Sequence, residues 1–462
     1  MARILLTHGY FLEDDEKERQ IMKPYPPLGI LYLSAWLKER GHEVEVYDST
    51  FGSHAELAAR LRHARGSFVG IYTNLLTRRA VLRVIADAKR AGATVILGGP
   101  ESANHPLEYL RRGADAIVIG EGEATLEELI TRVDARGPEA LGAVKGIAYL
   151  DASGTLVRTP SRPAIADLDS LPLPDRTAID HSLYLAAWRK HHGASSINLI
   201  TARGCPYRCT WCSHAVYGYS HRRRSPAKVA EEAEWIVRQY NPDQLWYADD
   251  VFTISHPWLR QYAAELAARN IHKPFETITR ADRLQSPAAV DALQALGCYR
   301  IWIGSESGSQ KILNAMERGV SVAQVRRAIE LSKARGIAVG MFLMWGYEGE
   351  ELEDIAATVE HVKVSNPDVF LTTVAYPIKG TPYFDRVQEK VCAPSDWSQS
   401  TDRDYTIAGR RDRGYYRLAD VWLRSEVEAH RLRDRDPVRA AELQASAARA
   451  RQEMGSAHRE TR

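Results

Sequence analysis

Several things are scarce in this chain, and each scarcity excludes a class of protein. Five cysteines in 462 residues cannot make a disulfide framework. Lys and Arg number 61 against 59 Asp and Glu, a formal net charge of +2, so neither sign dominates as it would in a dedicated nucleic-acid binder. No apolar run approaches the roughly 20 residues of a membrane-spanning helix. The apolar start is broken by Glu13-Asp14-Asp15-Glu16, too soon for a secretory signal. These absences predict a cytoplasmic globular protein, and at ~150 residues per domain the length predicts about three folding units.

What is present is organised. Up to Val144, short apolar runs alternate with amphipathic helical stretches. The runs are Ile4-Leu5-Leu6, Val44-Glu45-Val46-Tyr47, Phe68-Val69-Gly70-Ile71, Thr94-Val95-Ile96-Leu97 and Ala116-Ile117-Val118-Ile119. The helical patterns at 28–38 and 80–90 are each followed by a glycine, Gly41 and Gly92, in the C-cap manner. Such alternation predicts an α/β fold with a doubly wound parallel sheet over 1–145. Ligands of these sheets bind at the carboxyl ends of the strands. Here those ends carry Thr7-His8-Gly9, Asp48-Ser49-Thr50, Tyr72-Thr73-Asn74, Gly98-Gly99-Pro100-Glu101 and Gly120-Glu121-Gly122-Glu123. No Gly-x-Gly-x-x-Gly follows the first strand, which disfavours a dinucleotide.

Residues 146–185 read as a hairpin and Pro-rich linker, with Asp151-Ala152-Ser153-Gly154 as its turn. A second series of strands follows at 197–202, 244–248, 275–279, 299–304, 337–344 and 368–376. Six βα units over 186–390 predict a partial barrel with its active groups at the strand C-terminal ends. The remainder, 391–462, reads as a strand-free helical region, frayed from Arg449 onward.

After the first barrel strand stands Gly204-Cys205-Pro206-Tyr207-Arg208-Cys209-Thr210-Trp211-Cys212. Thiolates spaced C-x3-C-x2-C can hold three corners of a [4Fe–4S] cubane, which usually takes four protein thiolates. Cys298 and Cys392 are far away in sequence, so the fourth iron is left open for an exogenous ligand. The competing reading is a Cys3His zinc site completed by His214 in a binding protein. A redox disulfide fits less well, because no C-x2-C opens a helix in a thioredoxin-like context. Cys298 reads as a buried small apolar residue, and His191-His192 and Arg222-Arg223-Arg224 as solvated surface.

Cys205, Cys209 and Cys212, with Trp211 before the last of them, resemble the motif of the radical S-adenosylmethionine (SAM) superfamily. The N-terminal part resembles the cobalamin-binding domain of the branch containing the anaerobic Mg-protoporphyrin cyclases, through Pro27-Leu28-Gly29, Asp48, Gly98-Gly99-Pro100 and Gly120-Glu121-Gly122-Glu123. The resemblance implies a [4Fe–4S] cluster on the three cysteines, SAM chelated to its open iron, and a 5′-deoxyadenosyl radical that takes hydrogen from the substrate. It further implies that Asp249 or Asp250 meets the SAM ammonium, that Arg280 meets its carboxylate and Glu306 its ribose, and that Trp211, Met344 and Tyr376 belong to the cofactor's apolar surroundings. Arg222, Arg224 and Ser225 match an Arg-x-Arg-Ser stretch found after the cluster loop in relatives.

The reaction is less constrained. The opening segment, with Met22-Lys23-Pro24-Tyr25-Pro26-Pro27, is similar to radical SAM diol dehydratases of aminoglycoside biosynthesis, such as that of the apramycin pathway. That similarity implies lyase chemistry on a precursor such as paromamine, needing no cobalamin and fed by a reducing donor such as flavodoxin. Glu348, Glu350, Glu351 and Asp354 could hold a polycationic sugar, with Glu348, Tyr217 or Tyr219 as the acid–base group; equally, 350–354 could be the acidic first turn of a helix. The alternative is a cobalamin-dependent C-methyltransferase. The Asp-x-His-x-x-Gly loop of other cobalamin proteins is missing, which leaves cobalamin itself open.

Overall fold

The computed structural model describes residues 1–460. Its first sheet has seven strands in the order β2-β1-β3-β4-β5-β6-β7. These are β1 (Arg3–His8), β2 (Glu43–Tyr47), β3 (Phe68–Tyr72), β4 (Thr94–Gly98), β5 (Ala116–Val118), β6 (Ile147–Leu150) and β7 (Leu156–Arg158). The first five are parallel, and the order reverses between β1 and β3, which makes that point the natural ligand crevice of the sheet. The hairpin β6–β7 is not a separate linker. It adds antiparallel strands beside β5, because Ile147 and Ala148 are fully buried on that edge.

The second sheet is parallel throughout, in the order β15-β14-β13-β12-β11-β8. Its strands are β8 (Ser196–Leu199), β11 (Gln244–Tyr247), β12 (Phe275–Thr279), β13 (Cys298–Glu306), β14 (Ala338–Trp345) and β15 (Val369–Val374). Each expected barrel strand is present. Alternation sorts the two faces. Ile197, Leu199, Leu245, Tyr247, Phe275, Ile301, Ile303, Val339 and Met341 enter the core under the outer helices. Their neighbours Asn198, Trp246, Glu276, Trp302 and Phe342 face inward.

The inner face is plugged by residues 22–27, the segment between helices Glu16–Ile21 and Leu28–Glu39 of the N-terminal part. The Trp188 indole N–H donates to the Pro24 carbonyl at 2.7 Å, and the Asn198 amide donates to the Pro26 carbonyl at 3.0 Å. Tyr25 packs on Trp188 and Trp246, with ring centroids 5.0 and 5.9 Å apart.

The C-terminal region is not strand-free: β16 (Val391–Cys392) and β17 (Thr406–Ile407) pair as a short ribbon. Helices Arg413–Leu432 and Pro437–Glu460 then pack together and against helix Leu352–Ser365. The expected fraying from Arg449 does not occur at Ala450 or Met454, which are buried in the barrel core cluster; Thr461 and Arg462 lie outside the described residues. Among the described residues no helix is long and apolar enough to cross a membrane.

Candidate functional site

The three cysteines sit on one loop, 204–221, whose two ends are tied as a ribbon by β9 (Ala202–Arg203) and β10 (Arg222–Arg223). Gly204 begins the loop with φ +82°, and a Cβ there would lie 2.3 Å from the Ser220 carbonyl, so only glycine fits. Cys209 is buried, while Cys205 and Cys212 are half-buried. The loop is fixed to the barrel at Thr210, whose N–H donates to the Met316 carbonyl at 3.1 Å and whose carbonyl accepts from Tyr383 N–H at 2.9 Å. Guanidinium groups of Arg280 and Arg318 lie 3.7 and 3.6 Å from Cys209 Sγ, placing two cations where a thiolate must form. Burial pushes the Cys205 and Cys212 thiols up, and the neighbouring Cys209 charge adds to it.

Among the described residues the three cysteine sulfurs are not gathered within 4.8 Å of one another, which disfavours the zinc alternative. Tetrahedral zinc at a Zn–S distance of ~2.3 Å needs sulfurs about 3.8 Å apart. Among the described residues the one trio of ligand atoms within 4.8 Å of one another is Glu101, His105 and Asp402. That trio already surrounds a buried guanidinium: Arg78 donates to Glu101 at 2.7 Å and to Asp402 at 2.9 Å. His214 Nδ1 lies 3.2 Å from the Gly218 carbonyl, and its ring packs on Tyr219.

The expected SAM-facing residues divide. Asp249 is committed elsewhere: it accepts from the Thr201 N–H at 2.6 Å and from its hydroxyl, and pairs with Arg223 at 3.4 Å. It clamps the start of the cluster loop and is not free for a ligand. Asp250 projects into open space beside Cys205. Its carboxyl is raised by partial desolvation within the chamber and by the adjacent Asp249 charge. Arg280 is buried, stacked over Tyr207 and bonded to Asp282 at 2.9 Å and to the Arg318 carbonyl at 2.8 Å.

Glu306 stands at φ +60°, where the pairing of β13 with β14 slips between Gly304 and Glu306. Such backbone is uncommon for a side-chain-bearing residue, and it lies at the carboxyl end of a barrel strand, where active groups gather. Burial raises the Glu306 carboxyl to about 7 against the lowering pull of Arg318 and Arg280. Trp211 and Met344 share an apolar cluster with Tyr347 and Tyr383. Tyr376 is elsewhere, in a cavity with Arg403, Tyr405 and Arg410 beside the C-terminal ribbon.

The expected acid–base residues do not converge. Glu348 pairs with Lys390 at 3.0 Å in a cavity walled by the C-terminal segment. Glu351 and Asp354 form the capping box of helix Leu352–Ser365, and Lys311 pairs with Asp354 at 2.5 Å, so the acidic first turn is what this run forms. Tyr219 is exposed and stacks under Arg208. Tyr217 alone faces the region between the two sheets, its phenol held up at about 12 by burial.

That region contains two cavities sharing Gly29, Ile30, Tyr72, Ile200, Val216 and Tyr217. The narrower, about 130 Å³, runs between the first sheet and its helices and is walled by Leu6, Leu33, Ile96, Val118 and Leu126. The wider, about 460 Å³, borders Asn198, Cys205, His214 and Asp250. A Cβ at Gly29 or Gly98 would meet nothing within 4 Å. Those glycines therefore leave empty the space that a side chain would fill.

Sequence reasoning missed what joins the sheets. Arg222, Arg223 and Arg224 are not solvated surface. Arg224 is buried against Glu232, and Arg222 crosses to Glu121 of the first sheet at 2.7 Å. Arg203, also unmarked by any motif, donates to Glu121 at 2.9 Å and to Glu123 at 2.6 Å. The signal that could have found them is the match at Arg222, Arg224 and Ser225. At the end of β1, His8 is engaged on both ring nitrogens, with Tyr10 N–H at 3.1 Å and Asp48 at 2.9 Å.

Comparison with known proteins agrees with this layout. Residues 199–362 match the Radical SAM superfamily, and residues 20–130 match the B12 binding domain. An uncharacterized methyltransferase of Pyrococcus horikoshii is 26% identical over 388 residues, covering 82% of each chain. The anaerobic magnesium-protoporphyrin IX monomethyl ester cyclase of Rubrivivax gelatinosus is 27% identical, covering 80% of this chain and 68% of its own. Among solved structures, the radical SAM methyltransferase TsrM from Kitasatospora setae, with cobalamin and a [4Fe–4S] cluster bound, superposes with a TM-score of 0.71 at 20% identity, over 86% of this chain and 81% of its own. The cobalamin-dependent SAM radical enzyme OxsB, with aqua-cobalamin and SAM bound, gives 0.75 at 18% identity, over 98% of this chain and 71% of its own. At these identities the superpositions speak for the fold.

Proposed function

We propose that this chain, a radical SAM enzyme with an N-terminal B12-binding domain, is a cobalamin-dependent methyltransferase acting on a small molecule. The observation that carries the reading is the pair of adjoining cavities. An apolar tube against the first sheet adjoins, across Tyr72 and Tyr217, a chamber that borders Cys205. A corrinoid whose nucleotide tail ends in an apolar benzimidazole needs a narrow apolar cavity for that end, and a substrate between two cofactors needs a chamber. Glycines at 29 and 98 keep both open.

When bound, the cluster supplies the electron that cleaves SAM, and cobalamin carries the methyl group. The chain's own part is to bind, orient and exclude water. Cys205, Cys209 and Cys212 would hold the cluster, with Arg280 and Arg318 favouring the thiolate at Cys209. Asp250 and Glu306 would face the SAM ammonium and ribose. Tyr217, at the neck, would offer its hydroxyl to the substrate. A low-potential donor such as flavodoxin would supply electrons.

Dehydration of an aminosugar has less support. The carboxylates it would need are held by Lys390, Lys311 and a helix cap, in a cavity distinct from the chamber. Product analysis separates the two reactions. Iron-loaded protein is incubated anaerobically with SAM, reductant and paromamine, with and without cobalamin. Methyl transfer predicts S-adenosylhomocysteine only when cobalamin is present. 5′-Deoxyadenosine with a dehydrated sugar, indifferent to cobalamin, would overturn it.

A further inference from the structure

The ribbon that closes the cluster loop pairs Arg222 directly with Arg203. Like charges opposite one another on paired strands destabilise the pairing, and this ribbon is only two residues per strand. It holds because a carboxylate from the other domain lies between them. Glu121 accepts from Arg203 at 2.9 Å through one oxygen and from Arg222 at 2.7 Å through the other. The second oxygen also accepts from Ile165 N–H at 2.7 Å, which fixes the carboxylate from a third side. The Glu121 and Arg203 side chains are about 5% exposed, at 6% and 5%. Glu123 binds the far side of Arg203 only.

From this we infer that Glu121 is a positioning residue of the cluster site: the B12-binding domain supplies the anion that clamps both ends of the loop carrying Cys205, Cys209 and Cys212. The inference rests on that loop holding the cluster, and not on which reaction follows. Arg203 stands two residues before Cys205, and its guanidinium lies 5.7 Å from the Tyr217 ring on the same loop. A loop released at its base would no longer hold the thiols in one arrangement.

The test uses the full-length, iron-reconstituted protein. Hydrogen exchange is followed for amides within 204–221, and the reduced cluster is examined by electron paramagnetic resonance with and without SAM. Glu121→Gln should speed exchange across the loop by about tenfold or more, the loss of a charge-assisted hydrogen bond, and should alter the SAM-dependent signal. Removing one opposed cation as well, in Glu121→Gln with Arg222→Gln, should return exchange to within about threefold of the parent. Glu123→Gln leaves the clamp in place and should change loop exchange by less than about twofold. Three results overturn the inference: unchanged exchange in Glu121→Gln, no recovery in the double variant, or equal loosening by Glu123→Gln. The product assay scores the methyl-transfer reading separately, so either can fail alone.

Discussion

Two short runs of this chain read almost alike: Gly120-Glu121-Gly122-Glu123 after β5, and Glu348-Gly349-Glu350-Glu351 after β14. Both follow the carboxyl end of a buried parallel strand, where ligand-binding groups gather. In the first, two arginines of the barrel reach Glu121, and one of them also reaches Glu123. In the second, Glu348 takes a surface lysine, Glu351 caps its own helix, and Glu350 accepts the Gly346 N–H at 2.6 Å. The difference lies in what packs opposite. The first run faces another domain across a buried seam, and the second faces a short C-terminal ribbon. A glutamate after a strand is therefore a ligand, a cap or a clamp according to its partner, which lies far off in sequence.

The comparison can be broken by substitution. Glu121→Ala removes the carboxylate that Arg203 and Arg222 share, leaving Arg203 with Glu123 alone and Arg222 without an anion, and should cost about 3–5 kcal/mol of unfolding free energy by denaturant titration. Glu348→Ala, losing a half-exposed pair, should stay within ~1 kcal/mol. Equal costs would erase the distinction. Next in size is the tube itself. Gly98→Val puts a branched side chain into space now empty and should weaken cobalamin binding by at least about tenfold, followed by absorbance.

The two runs also respond oppositely to pH. Burial tends to raise the Glu121 carboxyl, but hydrogen bonds from Arg222 and Arg203 overcome it and hold the group below its ordinary value. Its stabilisation is present above the ordinary value and is lost as pH falls through the lowered one. Burial raises Glu350 from 4.5 to about 8, so the folded state holds a proton that the unfolded state releases. Stability should fall as pH rises between those values, and Glu350→Gln should flatten that limb of a pH–stability curve while leaving the acid limb unchanged. The smallest effect is at Lys390→Ala. Its partner Glu348 is one-third exposed, so water replaces the ammonium and the change should be below ~1 kcal/mol by thermal melts.

Much of the fold was legible because its signals are local. Val95, Ile96 and Leu97, or Ile301 with Ile303, are continuous or alternating apolar runs that hardly read as anything but strands. The three cysteines were legible because their spacing lies within one loop. Partner identity was not legible. Asp249 beside Asp250 reads as a matched pair, yet one clamps Thr201 and the other faces the chamber. Arg203 carries no local pattern, since its carboxylates are about eighty residues earlier. The plug at residues 22–27 resembles a loop until the Trp188 and Asn198 hydrogen bonds show what it fills.

The central claim is that the first sheet holds cobalamin beside the cluster loop. Anaerobic titration of the iron-loaded protein with hydroxocobalamin, followed by absorbance, tests it directly. The account predicts one cobalamin bound per chain and weakened binding in Gly98→Val. No saturable binding, or binding indifferent to that substitution, would contradict it.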